Sequence, residues 1–313
     1  MRTIPVTKGL LTYIPGLYNM FAKNKTGGTD SASYCYGVWL KHLTMLWENN
    51  MRVMPDTILE PGPGDSLGIG LAALLSGVKN YYALDVVNYI NVERNLAIFD
   101  ELVELFKRRA QRPTKGWPDF DKYLDANLFP SHILTEERLA ASLAPERIAS
   151  IRNALLNMNV ESQDVTIKYV VPWGDPEVIA RDSVDLILSH SVLEHVTDLE
   201  STYKAFASWL KPHGWMSHQI DFTAHYLTNQ WNGHWAYSET LWKVVVGKRP
   251  YLLNRQPCST HSTLIEKNGF EIVCQLKKND KPGGIKRSDL AVSWQDMSED
   301  DFTCSGTFVQ AKI

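Results

Sequence analysis

The stretch Thr57-Ile-Leu-Glu-Pro-Gly-Pro-Gly-Asp-Ser66 decides the fold of this 313-residue chain. Its first four residues end in Glu60 and predict a short buried strand. The turn that follows is rich in glycine, and residues 67–78 then carry apolar side chains at helical spacing. A second apolar run, residues 81–87, predicts another strand with Asp85 near its end. Strand, glycine turn, helix and strand in this order predict a βαβ unit.

The same alternation resumes in the second half of the chain. Further strands are predicted at residues 165–171, 184–189, 215–222, 270–276 and 306–311. The count is about seven strands, and most of them are parallel because helical crossovers connect them. The predicted fold class is α/β, with a seven-stranded, mostly parallel sheet and helices on both faces.

Two segments do not follow this alternation. Residues 1–55 are predicted to form an N-terminal helical segment, and residues 89–160 a helical insertion that serves as a lid or an oligomer arm. The remaining residues, 56–88 and 161–313, form the predicted α/β core.

Composition narrows the class of protein. The net charge is -3, which disfavours a nucleic-acid binder, and no apolar run is long enough to span a membrane. The four cysteines are far apart and include no CxxC pair, which indicates free thiols rather than a zinc site. We therefore expect a cytoplasmic protein without a metal. The sequence leaves open whether the protein forms a homo-oligomer.

The glycine turn indicates a bound cofactor. Glu60 ends the first strand, and Asp85 lies near the end of the next, where an acidic residue can accept hydrogen bonds from both ribose hydroxyls. A nicotinamide dinucleotide would use similar parts, but Leu67 stands where its fingerprint has a third glycine, and Asp65 would repel a pyrophosphate. A cofactor without phosphate fits better.

These motifs resemble a known family. Leu59–Ser66 and Ala83-Leu-Asp85 resemble motif I and the second acidic motif of class I S-adenosylmethionine-dependent methyltransferases. Residues 184–196 and 210–215 look like that family's later motifs. The resemblance implies S-adenosyl-L-methionine as the cofactor, with the ribose on Asp85 and the adenine near Trp173. The cofactor-binding residues it predicts are Glu60, Gly62, Gly64, Asp65, Asp85, Trp173, Ser189 and His190.

Histidines are concentrated after the fourth and fifth predicted strands. Six of the nine lie between residues 190 and 234, and an oxygen acceptor needs a base to lose its proton. The predicted catalytic residues are His218, His225 and Asp221. They can also be read as ordinary core or surface residues, or more weakly as ligands of a divalent metal ion.

Aromatic residues interleave with polar ones in the same region, which is typical of a pocket for a flat or sugar-like ligand. The predicted substrate-binding residues are Glu194, His195, Trp231, His234, Trp235 and Arg255. This region also resembles, more loosely, methyltransferases of bacterial surface-polysaccharide clusters, through His218-Gln-Ile-Asp-Phe, Trp231-Asn-Gly-His-Trp235 and Leu253-Asn-Arg255. That resemblance implies a sugar hydroxyl as the acceptor.

The predicted function is methylation of an oxygen atom on a small polar or glycan acceptor. Two alternatives stay open: N-methylation of a small molecule, and an NAD-dependent oxidoreductase or epimerase. The chain lacks a Tyr-x-x-x-Lys pair in the later strand–helix region, which argues against the second alternative. Methylation of nucleic acid is not expected, since Ser189-His-Ser-Val192 stands where amino-group base methyltransferases have Asn/Asp-Pro-Pro-Tyr.

Overall fold

A computed structural model defines the helices and strands, and it describes residues 3–14, 28–112, 128–249, 251–279 and 281–313. The α-helices are α1 (Thr3–Leu11), α2 (Ala32–Glu48), α3 (Gly68–Leu74), α4 (Val92–Lys107), α5 (Glu136–Ser142), α6 (Pro145–Leu156), α7 (Leu199–Trp209), α8 (Glu239–Val246), α9 (Cys258–Lys267) and α10 (Glu299–Thr303). The strands are β1 (Thr57–Pro61), β2 (Asn80–Leu84), β3 (Thr166–Val170), β4 (Val184–His190), β5 (Leu210–Asp221), β6 (Glu271–Lys277) and β7 (Gly306–Lys312).

The strands of the described chain form one seven-stranded sheet in the order β3-β2-β1-β4-β5-β7-β6. Strand β1 pairs in parallel with β2 and β4, and β2 pairs in parallel with β3. All five residues of β1 are buried, which agrees with the apolar Ile58 and Leu59 at its centre. The predicted α/β fold class with a seven-stranded sheet is confirmed.

Glu60 and Asp85 come to neighbouring places because β1 and β2 are parallel and in register. Glu60 lies opposite Ala83, and Asp85 follows directly after Leu84, the last residue of β2. Parallel strands bring their carboxyl ends to the same edge of the sheet. The register therefore places the two acidic residues at one edge.

Helix α2 lies within the segment that the sequence separates from the core, but its side chains are almost completely buried. Trp39 and Leu43 have no exposed surface, and the Trp39 indole Nε1 donates a hydrogen bond of 2.8 Å to Ser76 Oγ. Helix α4, within the predicted insertion, buries Phe99 and Phe106 in the same hydrophobic core. The proposed boundaries of the N-terminal segment and the insertion stay predictions.

Strand β5 begins earlier than the sequence indicates. The sequence predicts a turn at residues 211–214, but β5 starts at Leu210, directly after α7. The Lys211 side chain donates a hydrogen bond of 2.8 Å to Asp185 Oδ1 on β4. His213 has a φ of 67°, and the strand continues through it instead of ending there.

The described residues form two compact units, and each packs mainly against itself. The core unit comprises the described parts of Asn24–His190, Ala205–His218 and Gln310–Ile313. The C-terminal unit comprises the described parts of Met1–Lys23, Ser191–Lys204 and Gln219–Val309. The C-terminal unit has its own apolar clusters, one around Tyr237 and Trp242 and another around Trp235 and Met297. Across the described ranges, no helix combines the length and the apolar character needed to cross a membrane.

Candidate active site

The glycine turn after β1 adopts the conformation that its sequence predicts. Gly62 has a φ of 66° and Gly64 a φ of 74°. Both lie in the left-handed region, where a side chain with a Cβ costs about 1–2 kcal/mol per residue. The two glycines therefore allow the chain to turn sharply from β1 toward α3.

Every backbone N–H group in residues 62–68 already has an acceptor within the core unit. Pro63 has no N–H group, and the Gly64 N–H lies against the Asp85 carboxyl group. The other donor and acceptor pairs are Gly62 N to Leu84 O (2.7 Å), Asp65 N to Thr29 Oγ1 (2.9 Å), Ser66 N to Thr29 Oγ1 (3.3 Å), Leu67 N to Asn95 Oδ1 (2.9 Å) and Gly68 N to Ser66 Oγ (3.1 Å). A pyrophosphate is normally bound by free N–H groups at such a turn. The turn offers no such cradle, which favours a cofactor without phosphate.

Three residues that the sequence did not single out hold this turn in place. Thr29 accepts two of its N–H groups, Asn95 on α4 accepts a third, and the Arg94 guanidinium donates a hydrogen bond of 2.9 Å to Asp65 O. Asp65 itself has no exposed surface. The turn therefore has a fixed shape before any ligand binds.

The acidic pair is buried and can accept hydrogen bonds. The Tyr81 hydroxyl donates a hydrogen bond of 2.6 Å to Glu60 Oε2. Burial raises the pKa of the Glu60 carboxyl to about 8, even though Tyr81 lowers it. Burial also raises the pKa of Asp85, whose Oδ1 accepts the N–H of Val86 at 2.7 Å. Acceptors of this kind, with no arginine or lysine ion pair among the described residues, suit the neutral hydroxyl groups of a ribose.

Trp173 is held beside Asp85 through the backbone. Its N–H donates a hydrogen bond of 2.7 Å to Asp85 O, and its ring lies 5.6 Å from the ring of Trp209. The buried indole Nε1 of Trp173 has no hydrogen-bond partner within the described ranges. This donor, beside the ribose-type acceptor, fits the predicted adenine end of S-adenosyl-L-methionine.

Ser189 and His190, at the end of β4, belong to a chain of polar contacts in the core unit. Ser189 Oγ lies 2.8 Å from His218 Nδ1, and His190 Nδ1 lies 3.5 Å from His42 Nε2. His218 has no exposed surface and stacks on Phe206 with 5.5 Å between ring centroids. The predicted catalytic residue His218 is therefore an interior side chain.

The other predicted catalytic residues lie together in the C-terminal unit. The Asp221 carboxylate is 3.2 Å from His225 Nε2, and both side chains are about 30% exposed, at 27% and 30%. The His225 ring centroid lies 5.0 Å from that of His195. With Glu194, these residues form the histidine–carboxylate cluster, defined as Glu194, His195, Asp221 and His225.

Burial and charge shift the pKa values of this cluster in opposite directions. Burial raises the pKa of the Glu194 carboxyl well above its usual range, and the nearby Asp221 charge raises it further. Burial alone would raise the pKa of Asp221, but hydrogen bonds from His225 and Thr223 outweigh it and lower that pKa. Burial lowers the pKa of His195 to about 4. At neutral pH, Asp221 is therefore ionised and His195 is neutral.

Asn254 fixes the turn that carries Glu194 and His195. Its Nδ2 donates hydrogen bonds to the carbonyl oxygens of Leu193 (2.7 Å) and Val196 (2.8 Å), and its backbone N–H donates to Glu194 O at 2.7 Å. The only sequence signal for this role is a weak one, the motif Leu253-Asn-Arg255.

The remaining predicted substrate-binding residues differ in their access to solvent. Trp231 is half-buried, whereas His234 and Trp235 are buried. The Arg255 guanidinium lies over the Trp242 ring and donates a hydrogen bond of 2.8 Å to Tyr237 O. Its side chain is only 2% exposed and forms an ion pair with Glu239, so its donors are directed to protein groups.

Comparison with solved structures gives weak overall similarities. An S-adenosylmethionine-dependent methyltransferase from Mesorhizobium loti is 14% identical, with 87% of this chain and 98% of that chain covered and a TM-score of 0.42. A methyltransferase from Methanosarcina mazei is 12% identical, with coverage of 86% and 96% and a TM-score of 0.42. The Haemonchus contortus phosphoethanolamine N-methyltransferase 2, solved in complex with S-adenosyl-L-methionine, is 14% identical, with coverage of 88% and 52% and a TM-score of 0.42. Similarities of this size do not identify a substrate for this chain.

Sequence families give the decisive comparison. No curated protein matches the chain. The family model described as a methyltransferase domain matches residues 54–275, which is more than half of the chain and includes Glu60, Asp85, Glu194 and Asp221. The chain therefore belongs to the methyltransferase-domain family, and it is an enzyme that uses S-adenosyl-L-methionine.

Proposed function

We propose that the enzyme methylates a hydroxyl oxygen of a small polar acceptor, and that the acceptor is a sugar or glycan. The observation that carries this proposal is the contact of the Asp221 carboxylate with His225 Nε2, which are 3.2 Å apart and partly exposed. A carboxylate that orients an imidazole is the usual arrangement of a general base.

The proposed cofactor contacts come from residues of the core unit. Asp85 and Glu60 would accept hydrogen bonds from the cofactor, and Trp173 would lie against its adenine. Gly62 and Gly64 give the turn its shape, with φ angles of 66° and 74°. S-adenosyl-L-methionine supplies a methyl group on a sulfonium, so the protein contributes mainly position and removal of the acceptor proton.

His225 is the better base of the two predicted histidines. When Nε2–H of His225 donates a hydrogen bond to Asp221, the neutral ring has a free electron pair on Nδ1 that can take the proton of the acceptor hydroxyl. The ionised Asp221 then stabilises the imidazolium that forms. His218, in contrast, is fully buried between Phe206 and Ser189, and we assign it a structural role.

A sugar acceptor is supported by the side chains available in the C-terminal unit. Trp231 is half-buried and its indole Nε1 makes no hydrogen bond to the described residues. The exposed part of this ring can stack on a sugar ring, whereas the Nε1 atom is buried. The sequence resemblance to methyltransferases of surface-polysaccharide clusters points to the same acceptor class. Arg255, which the sequence suggested for substrate, is better suited to holding the aromatic residues Trp242 and Trp294.

The experiment is a screen of acceptors with the full chain and S-adenosyl-L-methionine, with the methylated product detected by mass spectrometry. The panel contains free sugars, nucleotide-activated sugars and the matching amino sugars. His225→Asn and Asp221→Asn are expected to lower transfer to hydroxyl groups by about 10²–10⁴-fold. The affinity for S-adenosylhomocysteine, measured by calorimetry, should stay unchanged.

The matched control is His213→Asn, which removes an exposed histidine whose φ of 67° asparagine tolerates. It should keep full activity. Methylation of amines alone would contradict an oxygen acceptor, since a neutral amine needs no base. Full hydroxyl transfer by His225→Asn would contradict the base.

A further inference from the structure

The carboxyl group of Glu194 is buried without an ordinary partner. The residue is 2% exposed, and neither Oε1 nor Oε2 receives a hydrogen bond of normal geometry from the described residues. The backbone N–H groups of Glu194 and Asp221 lower the pKa of the carboxyl group only in part, because burial has the larger effect. Lysine and arginine side chains form no ion pair with it within those ranges. A buried carboxyl group in this position loses its hydration without compensation, and that cost is normally offset by a proton, a cation or a metal ion.

Two imidazole rings lie close to this carboxyl group. One ligand atom each from Glu194, His195 and His225 can be chosen so that all three lie within 4.8 Å of one another. Nδ1 of His195 also lacks a hydrogen-bond partner among the described residues. Three potential ligands therefore converge, and two of them have atoms that no protein group occupies.

We infer that Glu194, His195 and His225 form a binding site for one divalent first-row transition metal ion, such as Zn²⁺ or Co²⁺. Two imidazoles and one carboxylate are a ligand set for these ions, which commonly leave further positions open for water or substrate. Mg²⁺ and Ca²⁺ prefer oxygen ligands and should bind more weakly.

Asp221 completes the surroundings of the site. Its Oδ2 accepts the Nε2–H of His225 at 3.2 Å, and its Oδ1 is held by the N–H of Thr223 at 2.7 Å. A carboxylate that accepts a hydrogen bond from a metal-binding imidazole fixes the ring and raises its basicity. Asn254 similarly fixes the backbone of Glu194. The ligands are therefore held in place before an ion binds.

A bound ion would change how the acceptor is activated. A divalent ion polarises a hydroxyl oxygen and lowers its pKa, so the acceptor proton could pass to water and His225 would not be needed as the base. This consequence rests on the proposed function, whereas the binding of the ion does not. A failure to bind metal would leave the base proposal intact.

The test uses the full chain after treatment with EDTA and dialysis. Zn²⁺, Co²⁺ and Mg²⁺ are titrated separately by calorimetry, and the visible absorption of bound Co²⁺ reports its coordination. We expect one Zn²⁺ or Co²⁺ per chain and weaker binding of Mg²⁺. Glu194→Gln and His225→Asn should each weaken binding at least about 100-fold, and Asp221→Asn about 10–100-fold.

His213→Asn serves as the control for binding by surface histidines and should bind like the wild type. Circular dichroism checks the fold of each variant. If Glu194→Gln fails to fold, His225→Asn, at a partly exposed position, carries the test. The inference is overturned by a lack of stoichiometric binding, by binding that none of the ligand variants weakens, or by Mg²⁺ binding as tight as Zn²⁺ binding.

Discussion

The hydroxyl group of Tyr81 donates a hydrogen bond of 2.6 Å to Oε2 of Glu60, and both side chains are buried. The bond connects neighbouring strands, β2 and β1. It orients the carboxyl group at the start of the glycine turn and supplies a partner that burial would otherwise deny it.

Removing this donor tests its importance. Tyr81→Phe should lower the free energy of unfolding by about 1–3 kcal/mol, because it leaves a buried acceptor unsatisfied while keeping the ring. Urea unfolding monitored by circular dichroism measures the change. Tyr82→Phe, on the same strand and half-buried, is the matched control and should change stability by less. Equal effects of the two substitutions would show that the hydrogen bond to Glu60 does not contribute to the free energy of unfolding.

The ring of Tyr81 also explains a glycine inside α3. A Cβ atom on Gly70 would come within 2.1 Å of the Tyr81 ring. Replacing a helical glycine with alanine usually stabilises a protein by about 1 kcal/mol. Here we expect the opposite sign, a loss of about 1–3 kcal/mol, because the ring has to move.

Thermal unfolding of Gly70→Ala measures that loss. Gly174→Ala is the control, since a Cβ there meets no atom within 4 Å. A more stable Gly70→Ala protein would contradict the close approach of α3 to β2. The substitution should also weaken binding of S-adenosylhomocysteine, because Tyr81 orients Glu60.

The sequence predicted this region well where the signal was local. The strand, the glycine turn and the positions of Glu60 and Asp85 follow from residues next to one another in the chain, and the structure reproduces them. Even the absent third glycine has a counterpart: Gly70, three residues beyond Leu67, gives the close contact between helix and strand.

The parts that the sequence did not predict depend on long-range packing. Thr29 binds the turn from 36 residues away, and Asn254 binds Leu193 from 61 residues away. Neither residue type has a pattern of its own. The burial of His218 and Arg255 was missed for the same reason, since a histidine or arginine in a polar stretch gives no sign of which neighbours will cover it.

Burial of Glu60 makes the stability of the protein depend on pH. The pKa of its carboxyl rises from 4.5 to about 8 on folding, so the folded state binds the proton more tightly than the unfolded state. The contribution is fully present below pH 4.5 and is lost as pH rises through about 8. The wild type should therefore lose stability over this range relative to Glu60→Gln, which has no proton to lose.

The measurement is urea unfolding of both proteins, without cofactor, at several pH values from 5 to 9. The difference between them should change by at most about 1.4 kcal/mol per pH unit, in favour of Glu60→Gln at high pH. Other buried groups titrate in both proteins and cancel. A difference that stays constant with pH would show that Glu60 is ionised throughout.

The N–H groups of the glycine turn distinguish the cofactor from a dinucleotide, whereas either ligand could place its ribose on Asp85. The N–H groups of residues 62–68 all have acceptors within the protein, so the turn offers no donors to a pyrophosphate, whereas the carboxylate of Asp85 can bind ribose hydroxyls. Calorimetry should detect binding of S-adenosylhomocysteine and no binding of NAD. Loss of two hydrogen bonds to the Asp85 side chain costs about 3 kcal/mol, so Asp85→Ala should weaken the affinity about 100-fold. His213→Asn should bind like the wild type. Binding of NAD would contradict this assignment. It would require free N–H donors at the turn, and Thr29 and Asn95 already accept hydrogen bonds from those groups.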